Sequence, residues 1–215
     1  MSNNTISNFF SPQTVTVIGA SPREGSLGLI ILKNLLEGGL VTDKLTAVNP
    51  KYKTILSTPC YKNITDLPDA PDLAVIVSPA KTVPALIHQL GQKGTQCVVV
   101  ISAGFSEGES AHGKKLEEEM QTAARDYGLR IIGPNCLGIL SPINGLNASF
   151  SHLMPKKGKI GVISQSGAML TSIIDWACGR GIGFSHLISL GDMNDIGFAE
   201  MLDFMSADPD TNAIL

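Results

Sequence analysis

Features that would assign a function directly are scarce in this sequence. Aromatic residues make up 5% of the 215 residues, and 16 Lys and Arg stand against 19 Asp and Glu. Without a basic excess, the chain has no electrostatic footprint for nucleic acid or an anionic membrane. No apolar run approaches the roughly 18 to 20 residues of a spanning helix, and the polar start MSNNTISNFF is unlike a signal peptide. We therefore expect a cytoplasmic protein that binds neither nucleic acid nor membrane.

Cysteine motifs for metal or redox chemistry are also missing. The cysteines at 60, 97, 136 and 178 form no CxxC pair and no Cys/His pair at metal spacing. We predict reduced, mostly buried thiols and no metal site.

The remaining composition suits an α/β protein, with 43% hydrophobic residues and 22 glycines. The predicted strands are apolar on both faces, which is typical of a parallel sheet covered by helices on both sides. The pattern predicts a Rossmann-like, doubly wound domain over residues 1–145. Its strands are predicted at 14–20, 44–49, 72–78, 96–102 and 129–133, and its helices at 26–39, 81–94 and 109–128.

A turn-rich connection is predicted over residues 133–158, after which the alternation of strands and helices resumes. Strands at 159–164 and 184–191, helices at 166–181 and 198–208, and a last apolar run at 211–215 predict a second domain over 146–215. Because the sequence stops inside that apolar run, we expect an N-terminal fragment whose second domain is only begun.

The first candidate site is the turn VTVIGASPREGSLG, residues 15–28. Gly19 allows a sharp turn, Ser21 supplies a hydroxyl, and the helix beginning near Ser26 offers free N–H groups to a phosphate. The dinucleotide signature GxGxxG is absent, so a plain tight connection is the alternative.

The residues at the end of the second predicted strand narrow the choice of ligand. An NAD site needs Asp or Glu there for the ribose hydroxyls, whereas this chain has AVNPKYK with Lys51 and Lys53. Cations in place of a carboxylate favour an additional ribose phosphate, which leaves NADP and coenzyme A (CoA) both open. The next two loops carry small residues at the carboxyl edge, which suits a thin pantetheine arm, although ordinary loops are the alternative.

The second candidate site is SQSG, residues 164–167, directly before a predicted helix. Two hydroxyls and several backbone N–H groups would converge on a space for one phosphoryl group. The nucleophile motif GxSxG does not fit, because residue 164 is Ser and residue 168 is Ala. The alternative is a simple N-cap by Ser166, worth about 1 kcal/mol.

Taken in order, the segments resemble one family over residues 8–215. They are VIGAS, VNPK, IVSPA, VISAGFSE, IIGPNCLG, LNASF, GKIGVISQSGAM and GFSHLISLGDMNDIGFAEMLDFM. The chain resembles the N-terminal part of the NDP-forming acyl-CoA synthetases, the superfamily of ADP-forming acetyl-CoA synthetase and the succinyl-CoA synthetase α subunit. The resemblance implies a CoA-binding Rossmann-like domain followed by the start of a flavodoxin-like succinyl-CoA-ligase domain.

The resemblance also implies site residues. Lys51, with Lys53 as the competing choice, would meet the nucleotide phosphates of CoA, and the turn from Gly133 to Asn135 would line the thiol end. The phosphate of an acyl phosphate or phosphohistidine would bind Ser164, Ser166 and Gly167. The other CoA contacts would be Gly19, Ala20, Ser21, Ser26, Ser78, Pro79, Ser102, Ala103 and Gly104.

The implied reaction converts acyl-CoA, ADP and phosphate into acid, CoA and ATP through an acyl phosphate and a phosphohistidine. That histidine is expected beyond residue 215, and ADP or ATP with Mg is expected in a separate grasp-type domain. The histidines at 88, 112, 152 and 186 match no family position and are predicted to be surface or packing residues. No catalytic residue is therefore predicted within this chain, which should not turn over alone and could belong to a homo-oligomer.

Two other functions remain open at this stage. One is an acetyl-CoA-binding regulatory module of a protein lysine acetyltransferase fused to a GNAT domain, a branch that resembles the same synthetase. The other is an NADP oxidoreductase, which is disfavoured because no group of catalytic acid and base residues follows the turns that would bind the cofactor. Acyl specificity is not readable from the sequence.

Overall fold

The computed structural model describes residues 4–39, 44–108 and 110–215. Among them, a first sheet has its strands in the spatial order 3-4-2-1-5-6-7. The third and fourth strands pair antiparallel and the other neighbours are parallel. The strands are β1 (Val15–Ile18), β2 (Leu45–Val48), β3 (Thr54–Ile55), β4 (Thr58–Tyr61), β5 (Leu73–Ile76), β6 (Cys97–Val100) and β7 (Arg130–Ile132).

Helices cover both faces of this sheet. Every residue of β1, β5 and β6 is buried, as the continuous apolar runs predict. One face packs against α3 (Val83–Lys93) and α4 (Ala111–Tyr127), and the other packs against α2 (Leu27–Glu37). A short helix α1 (Asn4–Ser7) precedes β1. The predicted doubly wound arrangement is confirmed.

A second sheet follows in the described residues, with the spatial order 12-10-11-8-9. Its tenth, eleventh and twelfth strands are parallel, and the eighth pairs antiparallel with both the eleventh and the ninth. Two helices, α5 (Gly167–Cys178) and α6 (Phe198–Ala207), connect the parallel strands. The strands are β8 (Gly138–Ser141), β9 (Leu146–Ser149), β10 (Lys156–Ser164), β11 (Gly183–Ser189) and β12 (Ala213–Ile214).

The region read from the sequence as a turn-rich connection is different in the structure. β8 and β9 form an antiparallel hairpin there, and β10 begins at Lys156 instead of residue 159. Because β8 pairs with β11, the second sheet starts before the predicted domain division at residues 145 and 146, which stays a prediction. The helix predicted from residue 109 begins at Ala111, and Glu109 lies outside the described residues.

The two sheets share one apolar core. Leu32 and Val75 of the first unit belong to the same buried cluster as Ile188 and Met201 of the second. Arg130 Nε also lies 2.9 Å from Asp195 Oδ2, which links β7 to the segment before α6. These contacts fix the relative position of the two candidate phosphate turns.

The prediction that the cysteines are mostly buried is confirmed. No disulfide joins the four cysteines, which all lie in described residues, and Cys60, Cys97 and Cys136 are buried while Cys178 is partly buried. Within the described ranges, no helix combines the length and apolar character that crossing a membrane requires.

Candidate functional site

The turn after β1 depends on two glycines. Gly19 has a φ of 92°, and a Cβ there would lie 2.9 Å from the backbone nitrogen of Ser78. A Cβ on Gly28 would lie 2.6 Å from Cα of Ala20. The glycines therefore let the first loop approach both the start of α2 and the loop after β5.

The serines of this turn shape the loop. Ser26 is the N-cap of α2, because its Oγ accepts a hydrogen bond from Leu29 N at 3.4 Å. Ser26 Oγ also donates to Ser21 O at 3.0 Å, and Ser21 Oγ donates to Ser26 Oγ at 3.3 Å. The first-turn N–H groups of Leu27 and Gly28 have no acceptor within the helix, so they are the donors available to an anion.

A side chain at the end of β2 connects Lys51 to the same loop. Asn49 Nδ2 donates to Ala20 O at 2.7 Å, and Asn49 Oδ1 accepts a hydrogen bond from Lys51 N at 2.9 Å. Lys53 instead accepts at its carbonyl from Cys60 N at 2.8 Å, within the β3–β4 hairpin region. Both lysines are exposed, but only Lys51 is tied to the candidate CoA loop through Asn49.

The loops after β5, β6 and β7 are hydrogen bonded to one another. Ser102 Oγ donates to Ser78 O at 2.5 Å, and Ser102 O accepts from Asn135 N at 3.0 Å. Pro79 belongs to the same segment, because its carbonyl accepts from Thr82 Oγ1 at 2.7 Å. These contacts place the predicted residues of three loops along one sheet edge.

Gly104 lies at this edge with its backbone donor already engaged. Its N–H donates to Glu107 Oε1, and the neighbouring Phe105 N donates to Glu107 Oε2 at 2.8 Å. Gly104 has a φ of 109°, so a side chain there would be strained. The residue shapes the loop through its conformation, while its N–H serves the Glu107 carboxylate.

The second turn leaves two donors free in the same way as the first. Ser166 is the N-cap of α5, with Oγ accepting from Met169 N at 3.2 Å. Ser164 Oγ accepts from Ser166 N at 3.1 Å and donates to Ser166 O at 3.0 Å. The N–H groups of Gly167 and Ala168 begin the helix without intrahelical acceptors, so they are donors that an anion could use.

One cavity of about 510 Å³ lies between the two turns. Its volume falls within the range of roughly 300 to 1,000 Å³ of small-molecule sites. Ser102, Ala103, Asn135 and Gly167 line it, so four predicted site residues meet there. Leu27 and Phe150 line it too and were not predicted, because isolated apolar residues carry no motif.

The cavity is polar in places but uncharged. The residues that line it, all in the described part of the chain, include no Asp, Glu, Lys or Arg. Cys136 is among them, but burial raises the pKa of its thiol to about 12, and its Sγ donates to Val100 O at 3.3 Å. Cys136 therefore stays a neutral thiol at ordinary pH.

One lining residue contacts an acid of another segment. Asn135 Nδ2 donates to Asp192 Oδ1 at 3.3 Å. Burial raises the pKa of Asp192, and the hydrogen bond from Asn135 opposes that rise. Asp192 thus helps to orient the amide of Asn135.

The histidines lie in packing and surface positions, as predicted. His186 is buried with Nε2 3.2 Å from Asp208 Oδ2. His88 Nε2 contacts Tyr127 Oη at 3.0 Å, and His152 Nε2 lies 2.9 Å from Asp175 Oδ1. His112 is exposed, and none of the four lines the cavity.

Comparison with known protein families places the chain in one class. Residues 13–142 match the family described as the CoA binding domain, and residues 157–215 match the succinyl-CoA ligase like flavodoxin domain. The chain therefore belongs to the CoA binding domain family, with a succinyl-CoA-ligase-like second part. This confirms the resemblance on which the site residues were assigned.

Curated proteins of similar sequence include ADP-forming ligases. The chain is 43% identical over 206 residues to ADP-forming acetate-CoA ligase I of Archaeoglobus fulgidus, covering 96% of this chain and 30% of that protein. It is 42% identical over 211 residues to the α subunit of ADP-forming acetate-CoA ligase I of Pyrococcus furiosus, covering 96% and 45%. The chain thus spans less than half the length of these relatives. They give no support to the acetyltransferase alternative.

Solved structures agree with the fold. A Pyrococcus horikoshii protein superposes with a TM-score of 0.91 at 40% identity, over 97% of this chain and 47% of that one. Acetyl-coenzyme A synthetase 1 of Candidatus Korarchaeum cryptofilum, in complex with phosphate and ADP, superposes with a TM-score of 0.92 at 35% identity, over 99% and 45%. The α/β class with two successive sheets is confirmed.

Proposed function

We propose that this chain is the CoA-binding and phosphoryl-binding part of an ADP-forming acyl-CoA synthetase. The whole protein would convert acyl-CoA, ADP and phosphate into acid, CoA and ATP, with acetyl-CoA as the first candidate substrate. The observation that carries the proposal is the single cavity into which the first turns of α2 and α5 both open. Such a cavity suits a reaction in which a thiol and an acyl phosphate must meet.

CoA would lie along the carboxyl edge of the first sheet. The loop Gly19, Ala20 and Ser21, with the helix turn after Ser26, would hold the diphosphate through backbone N–H groups. Lys51 would contact the ribose phosphate. The pantetheine arm would follow the small residues of the next loops to the cavity, past Ser78, Pro79, Ser102, Ala103, Gly104 and Asn135.

The acyl phosphate would bind at the other end of the cavity. Ser164, Ser166 and Gly167 would hold its phosphoryl group at the start of α5. In the reverse, acyl-CoA-forming direction, attack of the CoA thiolate on the acyl carbon forms the thioester bond, breaks the bond from carbon to phosphate oxygen and releases phosphate. N–H groups of α5 stabilise the negative charge that stays on the departing phosphate.

The rest of the reaction would belong to other segments of the full protein. A phosphohistidine beyond residue 215 and a grasp-type domain with ADP or ATP and Mg would complete it, in a cytoplasmic protein. In this proposal, residues 1–145 form the CoA-binding domain and residues 146–215 form part of the phosphoryl-binding domain. The protein as a whole could form a homo-oligomer.

Calorimetry on the 215-residue chain tests the proposal. CoA and acetyl-CoA are expected to bind, whereas NADP is expected to give no saturable heat. Binding of NADP without binding of CoA would overturn the proposal and restore the oxidoreductase alternative.

A further inference from the structure

The loop after β11, residues 190–195, contacts both ends of the candidate site. Leu190 N donates to Ser164 O at 2.8 Å, within the SQSG turn. Asp192 N donates to Pro134 O at 3.0 Å, within the turn proposed for the thiol end of CoA. The loop therefore fixes the positions of these two turns relative to each other.

The carboxylate of Asp192 lies in surroundings that do not favour its charge. Asp192 forms no ion pair in the described part of the chain, and its Oδ2 is buried there without a hydrogen-bond partner. Burial raises the pKa of Asp192, and the carboxylates of Glu107 and Glu117 raise it further. Because such an environment costs stability, folding alone does not explain an acid at this position.

The one side-chain hydrogen bond that Asp192 makes to a described residue is to Asn135, with Nδ2 at 3.3 Å from Asp192 Oδ1. An ionised carboxylate only accepts hydrogen bonds, so it turns the amide nitrogen of Asn135 towards itself and the amide oxygen away. No described residue donates to Asn135 Oδ1, and Asn135 lines the cavity. Its amide oxygen is therefore a free acceptor at the cavity wall.

The backbone of Asn135 is also fixed. Its N–H donates to Ser102 O at 3.0 Å, which joins it to the loop after β6. With the backbone bonded to one loop and the side chain to another, the amide oxygen has a defined position. The pantetheine arm of CoA carries amide N–H groups, and an N–H that leaves water for a protein cavity needs an acceptor.

We propose that Asp192 is a positioning residue for the thiol end of CoA. Its carboxylate holds the amide of Asn135 so that Oδ1 accepts a hydrogen bond from the pantetheine amide nearest the thiol. Because the same loop is hydrogen bonded to the SQSG turn, this contact also fixes the thiol relative to the phosphoryl group. The inference rests on the proposed function, since it concerns the same CoA site.

The test compares CoA with adenosine 3′,5′-bisphosphate, which keeps the ribose phosphate and lacks the pantetheine arm. Calorimetry with the 215-residue chain measures both dissociation constants, and their ratio reports the contribution of the arm. Asp192→Asn keeps the shape of the side chain but can donate as well as accept, so it no longer dictates the orientation of Asn135. The variant is expected to bind CoA about three- to tenfold more weakly, the effect of one hydrogen bond, and to bind the bisphosphate as the wild type does.

A double-mutant cycle tests whether Asp192 acts through Asn135. Asn135→Gly removes the amide and tolerates the backbone φ of 56° at this position. It should weaken CoA to a similar extent, and adding Asp192→Asn to it should change the ratio no further. An equal effect of Asp192→Asn with and without the Asn135 amide would overturn the inference.

Asp195→Asn is the matched control in the same loop. Asp195 Oδ2 lies 2.9 Å from Arg130 Nε and 2.7 Å from Ile131 N, and Asp195 does not line this cavity. The control should lower the free energy of unfolding in urea and keep the wild-type ratio, whereas Asp192→Asn should keep wild-type stability and change the ratio.

The two levels of the proposal fail in different ways. A wild-type ratio in folded Asp192→Asn, with or without a loss of stability, would make Asp192 a structural residue and overturn this inference alone. Failure of the wild-type chain to bind CoA would overturn the proposed function instead.

Discussion

At the scale of single residues, Asn49 shows how a neutral side chain can position a charged one. The sequence draws attention to this place because an acidic residue is missing, and it leaves Lys51 and Lys53 as competing cations. In the structure, the amide of Asn49 connects Ala20 O with Lys51 N. That bridge favours Lys51 as the phosphate contact.

Lys51→Ala is expected to weaken CoA binding by about tenfold or more, because a charge-assisted contact with phosphate contributes roughly 1.5 to 3 kcal/mol. Dephospho-CoA lacks the ribose phosphate, so its affinity should stay nearly unchanged. Calorimetry with both ligands measures the difference. Lys53→Ala is the control, and equal losses for the two ligands would refute the assignment of Lys51.

A second residue-scale prediction concerns thiol reactivity. Burial raises the pKa values of Cys97 and Cys136 to about 12, so very little thiolate forms at those positions near neutral pH. Alkylation by iodoacetamide at about pH 8, followed by mass spectrometry, should modify the partly buried Cys178 first. The chain unfolded in urea gives the reference rate of alkylation. If Cys136 in the folded chain were modified as fast as Cys178, the predicted order of reactivity would be wrong.

At the scale of elements, α2 and α5 begin in the same way. Each has a serine N-cap whose Oγ accepts from the third N–H of the helix, so two N–H groups remain for a ligand. The cap and the anion site are thus compatible, although the sequence presents them as alternatives for Ser166. α4 has a serine cap of the same kind at Ser110, with Oγ 2.9 Å from Gly113 N.

Because α4 and α5 have the same kind of serine cap, alanine substitutions at the two caps form a matched pair of variants. Ser166→Ala and Ser110→Ala should each lower the free energy of unfolding by about 1 kcal/mol, measured by urea denaturation, since each removes one cap. In the full-length protein, only Ser166→Ala should impair phosphoryl transfer, and both variants should keep CoA affinity. Equal rates of phosphoryl transfer in the two variants would mean that Ser166 acts only as a helix N-cap.

Elements also show where sequence reasoning succeeds and where it fails. The apolar runs of β1, β5 and β6 identify a parallel sheet because each residue is buried locally. β8 and β9 are short and separated by Pro142 and by Gly145 at a φ of 71°, so they read as turns. The pairing of β8 with β11 is long range and leaves no local signal.

The residues of the candidate site likewise include some that the sequence predicts and some that it does not. The glycine and serine turns at residues 19 to 26 and 164 to 167 were predictable because helix N-termini and small residues have a local pattern. Phe150 and Leu27 face the cavity only through tertiary packing, and Asn34 of α2 reaches the carbonyls of Ser149 and Ser151 beside Phe150. A single sequence gives no sign of such contacts.

At the scale of the whole molecule, a buried histidine lies where the N-terminal segment meets the second sheet. His186 is 2% exposed, its ring centroid is 4.8 Å from that of Phe10 and 5.4 Å from that of Phe204, and its Nε2 contacts Asp208. Asp210 also acts on it and is itself paired with Lys159 at 2.7 Å. Burial lowers the pKa of His186 below its usual 6.5, and the two carboxylates oppose that shift.

The sign of the resulting pH dependence follows from proton binding. Because the folded pKa is lowered, the unfolded chain binds more protons as the pH falls below 6.5, so the folded state loses stability in that direction. The free energy of unfolding should therefore be lower at about pH 5.5 than at about pH 7.5. Urea denaturation at both pH values measures it. His186→Gln should flatten this dependence and the exposed His152→Gln should not; a flat wild-type profile would refute the role of His186.

The shared core limits how the two units can be exchanged between related proteins. The matched families divide near the hairpin of β8 and β9, which invites an exchange of halves between relatives at that point. A cut there would leave Leu32 and Val75 without Ile188 and Met201, and would leave Asn34 without the carbonyls of Ser149 and Ser151. A chimera would have mismatched packing between its two sheets, so the smallest interchangeable piece of this fold includes both sheets.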